Sequence, residues 1–260
     1  VIGPLIGMVH LGALPGAPRF AGDFAAVLAA AVADAAALAE AGFDALLVEN
    51  YGDAPFFADD VPPVTIAALT RAVAAVRDAA TLPVGVNVLR NDALAALAVA
   101  AATGAAFIRV NVLAGSMSTD QGVLTGRAAE VARARAALCP SVSILADVFV
   151  KHAVPPATLA LEQAAAETWE RAAADGLIVT GTGTGHPTSL DEIARVGAAA
   201  PGAPLYAGSG VEAANVAAVL RVADGVIVGT SLKRDGVTVA PVDPARARAL
   251  AEAARASSAP

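Results

Sequence analysis

Apolar residues gather along this chain into eight short runs, at 5–10, 45–49, 84–89, 107–112, 142–148, 177–180, 205–207 and 225–228. Alanine-rich segments of helical length separate them. Ile66, Leu69, Val73 and Val76 recur at helical spacing on one face. Ser189-Leu190-Asp191-Glu192 has the form of a capping box, and Pro244 stands where the first turn of a last helix needs no N–H. The stretch 205–236 shows the repeating unit most plainly. It runs strand, glycine turn, a helix carrying Val216, Val219 and Leu220, strand, glycine turn. Strand–helix alternation repeated eight times predicts an α/β fold: a single (β/α)8 TIM barrel over residues 1–260, with no linker dividing it.

Alternation within each run sorts side chains between two faces. Ile6, Met8 and His10 share one face; so do Ala45, Leu47 and Glu49. Gly85, Asn87 and Leu89 lie opposite valines 84, 86 and 88. Phe107, Arg109 and Asn111 oppose Ile108, Val110 and Val112, and Ser143, Leu145 and Asp147 oppose Ile144, Ala146 and Val148. The wholly apolar faces suit contact with helices, so the mixed faces point into the barrel. Their polar members fall at the carboxyl ends, which gathers His10, Glu49, Asn87, Arg109, Asn111 and Asp147 at one mouth. Unpaired buried charge is costly. The gathering therefore indicates an internal ion-pair network, for example Arg109 with Glu49 or Asp147, or an active site on the face where such barrels carry them.

The connections after the strands add candidates. Gly208-Ser209-Gly210 and Gly229-Thr230-Ser231, with Lys233 just beyond, follow the seventh and eighth runs, where barrels of this class commonly hold a substrate phosphate on backbone N–H groups. The sixth run leads into TGTGTGHPTS, which supplies Thr180, Gly181, Gly183 and His186 as a further anion or sugar cradle. After the fifth comes VKHAVPP, with Lys151 and His152. After the fourth, AGSMSTDQGVLTG runs for about 13 residues, including Asp120, and is either a lid or a solvated loop.

Three chemistries fit these groups. Glu49 and Asp147 suit a general acid–base pair whose environments drive their pKa values apart, with His10 and His152 as proton shuttles. Lys151 suits an anion contact or, when desolvated, a Schiff-base nucleophile. A divalent metal on His10, Glu49, Asp147 and His152 ranks third, because no HxH or HExxH spacing supports it. Asn50, Asn87, Arg90, Arg109, Asn111, Asp120, Thr180 and His186 suit recognition of a polyhydroxylated, sugar-like substrate. No GxGxxG fingerprint opens a βαβ unit, so no dinucleotide cofactor is expected.

Composition narrows the partners. Although 57% of residues are hydrophobic, much of this is alanine, and no run of about 18 apolar residues lacks a charge, Gly or Pro, so no membrane span is expected. A net charge of −7 disfavours nucleic acid, and no polybasic patch suggests a membrane surface. The lone Cys139 and the lack of a signal-like opening fit a cytoplasmic protein. Alanine-heavy helices permit close packing and make a homo-oligomer plausible. Only Lys151 and Lys233 among 17 basic residues are lysine, and both fall just after expected strands.

Taken together, GMVHLGALPGAPR, LLVENYGDAPF, PVGVNVLRND, FIRVNVLAG with TDQG, ADVFVKHA, IVTGTGTG, GSGV and GVIVGTSLKRDG resemble the BtpA/SgcQ family, in order over nearly the whole chain. The resemblance implies a TIM-type barrel related to phosphate-binding barrels. It associates the family with photosystem I biogenesis in cyanobacteria, and other members with sugar or nucleoside metabolism. The residues themselves point to an enzyme acting on a phosphorylated sugar, nucleotide or related metabolite by lyase, isomerase or glycosidic chemistry. The alternative is a non-catalytic assembly factor that keeps the barrel as a scaffold.

Overall fold

Every one of the eight runs forms a strand of a closed parallel barrel. In this computed structural model, which describes residues 2–181 and 188–256, they are β1 (Leu5–His10), β2 (Ala45–Glu49), β3 (Val84–Asn87), β4 (Phe107–Val110), β7 (Ser143–Asp147), β9 (Gly176–Val179), β10 (Leu205–Ala207) and β11 (Gly225–Val228). Each pairs with the next in that order, and β11 closes on β1. The expected runs at 84–89 and 107–112 overshoot their strands by two residues each. There the backbone leaves the ladder for side-chain partners: Leu89 N–H donates to Asn50 Oδ1 at 2.7 Å and Val112 N–H to Asn91 Oδ1 at 2.8 Å.

The parity reading holds. Ile6, Met8, Ala45, Leu47, Phe107, Leu145, Ile178, Tyr206 and Ile227 fill the barrel as one apolar cluster, while the alternate residues join the larger core under the helices. Gly85 is required by this packing, because a Cβ there would lie 2.3 Å from the Phe107 ring.

Helices α1 (Phe24–Ala41), α2 (Pro63–Ala79), α3 (Ala93–Thr103), α4 (Ala128–Leu138), α5 (Leu161–Ala166), α6 (Leu190–Ala199), α7 (Val216–Val219) and α8 (Pro244–Ala256) surround the strands. Leu69, Val73 and Val76 of α2 are buried, as their spacing requires, and Ser189 Oγ caps α6 by accepting from Glu192 N–H. By length and composition α1 alone among the described helices is able to cross a bilayer. Here it is a ring helix that packs on α2 and α8, and its buried face includes Asp34.

The long connection after β4 is neither a plain loop nor an open lid. It forms a hairpin, β5 (Ser116–Thr119) and β6 (Gly122–Thr125), and β5 also pairs with β8 (Ala153–Val154) from the connection after β7. Met117 and Leu124 of this small sheet pack on Val112 and Val150, so it covers the mouth beside β4 and β7. Among the described residues, the opposite side of the mouth, beside β1, β10 and β11, is open.

Candidate active site

A cavity of about 320 Å³ occupies that open side. It is lined by Met8, His10, Glu49, Tyr51, Arg109 and Lys151, and by the two glycine turns, Gly208-Ser209-Gly210 and Gly229-Thr230-Ser231, with Glu212, Asn215 and Arg246.

The floor is fixed by one ion pair. Arg109 donates twice to Asp147, Nε to Oδ2 at 3.2 Å and Nη2 to Oδ1 at 3.0 Å, and Asn111 Nδ2 donates to the same carboxylate at 2.9 Å. Asn87 Nδ2 braces the pair from below through the Arg109 carbonyl and Asn111 Oδ1. All four residues are buried. Burial alone would lower the Arg109 pKa, but the Asp147 and Glu49 carboxylates outweigh it and raise it. Asp147 is therefore not the free acid–base partner expected from the sequence: its two oxygens already accept three hydrogen bonds, and a guanidinium holds it.

Glu49 is placed differently. It lines the cavity, is 6% exposed, and its carboxylate has no hydrogen bond among the described residues. His10 Nε2 lies 3.8 Å from Glu49 Oε1, too far for a hydrogen bond. Burial pushes the Glu49 pKa up, against the pull of the Arg109, Lys151 and Arg90 charges. Burial, followed by the Lys233, Lys151 and Arg109 charges, holds His10 well below its usual value, so this imidazole is neutral at pH 7. Its ring sits 4.9 Å from that of Tyr51; among the described residues its buried Nδ1 meets no partner at hydrogen-bond geometry, and only the Thr238 backbone acts to raise its pKa.

Lys151 hangs over the same space with both of its backbone groups pinned. Its N–H donates to Thr180 Oγ1 at 3.0 Å, and its carbonyl accepts from Arg90 Nη2 at 2.6 Å. Burial and then the Arg109 charge lower its pKa, opposed by Glu49 and Asp147.

Several sequence candidates turn out to be occupied elsewhere. Lys233 is 1% exposed and points away from the cavity, into an ion pair with Asp34 of α1. Asn50 spends its amide on Asp53, Leu89 O and Leu89 N–H. Thr180 Oγ1 also donates to Phe149 O, and Arg90 serves Lys151, so these two position the lysine rather than a ligand. Asp120 is exposed at the β5–β6 turn and accepts from Gln121, and His152 is exposed with φ 58° outside the cavity lining. Gly181 borders a smaller neighbouring cavity, and Gly183 and His186 lie outside the described residues. Among the described residues no three His, Cys, Asp or Glu side chains converge on a metal position, and with Asp147 bound by Arg109 and His152 exposed the four expected donors do not form one.

The glycine turns lie where the sequence puts them, but their hydroxyls brace the loops. Ser231 Oγ donates to Val211 O at 2.6 Å, Thr230 Oγ1 pairs with Thr238 Oγ1 at 3.0 Å, and Thr188 Oγ1 donates to Ser209 O at 3.1 Å. The backbone N–H groups of Gly210, Thr230 and Ser231 have no acceptor among the described residues. Arg246, in the first turn of α8, was not singled out from the sequence. Its only signal there is its place two residues after Pro244, on the helix that returns to the eighth strand's turn.

The fold and site thus define a TIM barrel with a charged cavity at the carboxyl ends of its strands. The chain belongs to the BtpA family, whose model matches residues 2–256. It is 46% identical to the photosystem I biogenesis protein BtpA of Synechocystis sp. over 250 residues, covering 96% of this chain and 87% of that one. It is 33% identical to the putative sgc region protein SgcQ of Escherichia coli, covering 93% and 90%. Among solved structures it resembles a chain of Mycobacterium tuberculosis tryptophan synthase (TM-score 0.65, 23% identity, covering 97% and 93%). It also resembles N-(5'-phosphoribosyl)anthranilate isomerase of Pyrococcus furiosus (TM-score 0.58, 14% identity, covering 97% and 99%).

Proposed function

We propose that this protein is an enzyme that transforms a small phosphorylated metabolite by proton transfer at Glu49. The observation that carries this reading is that one cavity brings together two unlike sets of groups. The glycine turns offer N–H groups of Gly210, Thr230 and Ser231 without an acceptor among the described residues, and Arg246 lines the same cavity, a setting suited to a phosphate. Glu49 offers a buried carboxylate with a raised pKa and no hydrogen bond among the described residues, which is what a general acid or base requires. Asp147 takes the role of positioning Arg109, whose charge lies under the reacting centre. A resembling barrel is named for a phosphoribosyl substrate, which is consistent with the reading.

Calorimetry with ribose 5-phosphate, glycolaldehyde phosphate and their dephosphorylated forms tests it. Binding that needs the phosphate, and weakens in Arg246→Ala, supports the cradle; equal binding of both forms defeats it. The rival reading, an assembly factor without catalysis, is favoured by the name of the cyanobacterial relative. It predicts no phosphate-dependent binding at all.

A further inference from the structure

We infer that Lys151 is the nucleophile of this site, forming an iminium with the carbonyl carbon of a phosphorylated aldehyde or ketone whose phosphate rests on the glycine turns. The inference deepens the function proposed above and takes its phosphate cradle from it.

The geometry comes first. Lys151 lines the cavity with Glu49 and the two turns. A lysine on a connecting segment is ordinarily mobile, yet here its N–H and its carbonyl are each held by a different buried or part-buried side chain, Thr180 and Arg90. Two elements far apart in sequence thus hold one residue's backbone, as positioning for chemistry requires. Its ammonium makes no ion pair with a carboxylate among the described residues, whereas Lys233, the other lysine, is locked to Asp34. An anion-binding lysine does best fully charged. Lys151 instead shares the cavity lining with Arg109, and desolvation with that like charge lowers its pKa against the pull of Glu49 and Asp147, which raises the share of neutral amine.

The step balances with groups present. The neutral amine of Lys151 adds to the carbonyl carbon, forming the C–N bond of a carbinolamine, as the C=O π bond breaks and one of the two amine protons passes to the oxygen. The C–O bond then breaks, and the oxygen leaves as water carrying one proton from protonated Glu49. Nitrogen keeps one hydrogen and the positive charge. Glu49 is left as a carboxylate able to take a proton from the substrate, with the iminium as electron sink.

The test uses the whole chain at pH 7 with glycolaldehyde phosphate, glycolaldehyde and cyanoborohydride, followed by peptide mass mapping. Lys151→Arg serves as background, and its phosphate binding by calorimetry shows that it is folded. The expected result is reduced adduct on Lys151, absent in Lys151→Arg, forming at least about tenfold faster with the phosphorylated aldehyde because binding pre-orients it. Adduct on Lys151 at equal rates with both aldehydes supports the nucleophile and overturns the phosphate cradle. Label confined to the amino terminus or Lys233, with phosphate still bound, overturns the nucleophile and leaves the cradle standing.

Discussion

Lys233→Met separates a structural lysine from a ligand-binding one. Lys233 is 1% exposed, and among the described residues its ammonium pairs with Asp34 alone, whose other oxygen accepts Val242 N–H at 2.7 Å. Methionine fills much of the same volume but strands the Asp34 carboxylate in the core. Breaking a buried pair from one side costs about 3–5 kcal/mol. For a chain of this size each kcal/mol moves Tm by roughly 2–4 °C, so the loss is on the order of 6–20 °C. The double variant Asp34→Asn with Lys233→Met removes both charges and keeps an acceptor for Val242, and it should recover most of that loss. Urea unfolding gives the stabilities, and calorimetry with ribose 5-phosphate gives the affinities. The reasoning requires the double variant to bind phosphate within about twofold of the parent, since no phosphate contact has been removed. A single variant with the parent's stability but tenfold weaker binding would refute it and restore Lys233 to the cradle.

Other changes should act at the site itself. Glu49→Gln should abolish turnover yet stabilise the fold at neutral and alkaline pH. The folded pKa of Glu49 is raised, so its contribution is favourable below the unfolded value and is lost as pH rises through the folded one; the variant's advantage should therefore vanish in acid, as paired unfolding curves at pH 4 and pH 8 would reveal. Asp147→Ala should cost about 3–5 kcal/mol by orphaning Arg109, and a parent-like unfolding midpoint would show that the pair is not what holds the floor. Gly229→Ala puts a Cβ within 2.8 Å of His10 Cε1 and should weaken phosphate binding while costing about 1–3 kcal/mol; unchanged affinity would place the ligand away from that turn. Arg246→Ala, at an exposed position, should leave stability within about 0.5 kcal/mol and make phosphate binding less sensitive to salt.

The fold was legible because period-two alternation and strand count leave few arrangements. Phe107, Arg109 and Asn111 had to share a face, and that face had to look inward. The same parity brought His10, Glu49, Arg109 and Asp147 to one mouth. Parity says where a side chain points, not whom it meets. Asp147 and Glu49 look alike in sequence, and only three dimensions give one a bidentate guanidinium and set the other 3.8 Å from a neutral imidazole, with no hydrogen bond among the described residues. Lys233 misled for a related reason: its partner Asp34 lies 199 residues away on a helix that otherwise reads as alanine. The β5–β6 hairpin left a local trace, with apolar Met117 in one strand and Val123 and Leu124 in the other around the turn at Gly122, whose φ is 98°. Serines and threonines at the alternate positions made it resemble a solvated loop.

The choice between enzyme and scaffold turns on where the molecule tolerates strain in its electrostatics. A scaffold gains nothing from burying Glu49 without a hydrogen bond among the described residues, or from holding a neutral, desolvated His10 beside it. Both cost stability, and an apolar pair would fill the space more favourably. Of the exposed large apolar side chains among the described residues, Phe57, Val123, Val154, Val237 and Val239 lie on connecting segments and the small sheet, while Val64, Leu138 and Leu190 stand singly at the ends of α2, α4 and α6. The outward positions of α1 are mostly alanine, which offers a partner little area to bury. Among the described residues, buried charge in the helix layer is paired, as Lys233 is with Asp34, whereas Glu49 at the cavity has no hydrogen bond. Proteins retain such arrangements where the destabilised group is the one that reacts.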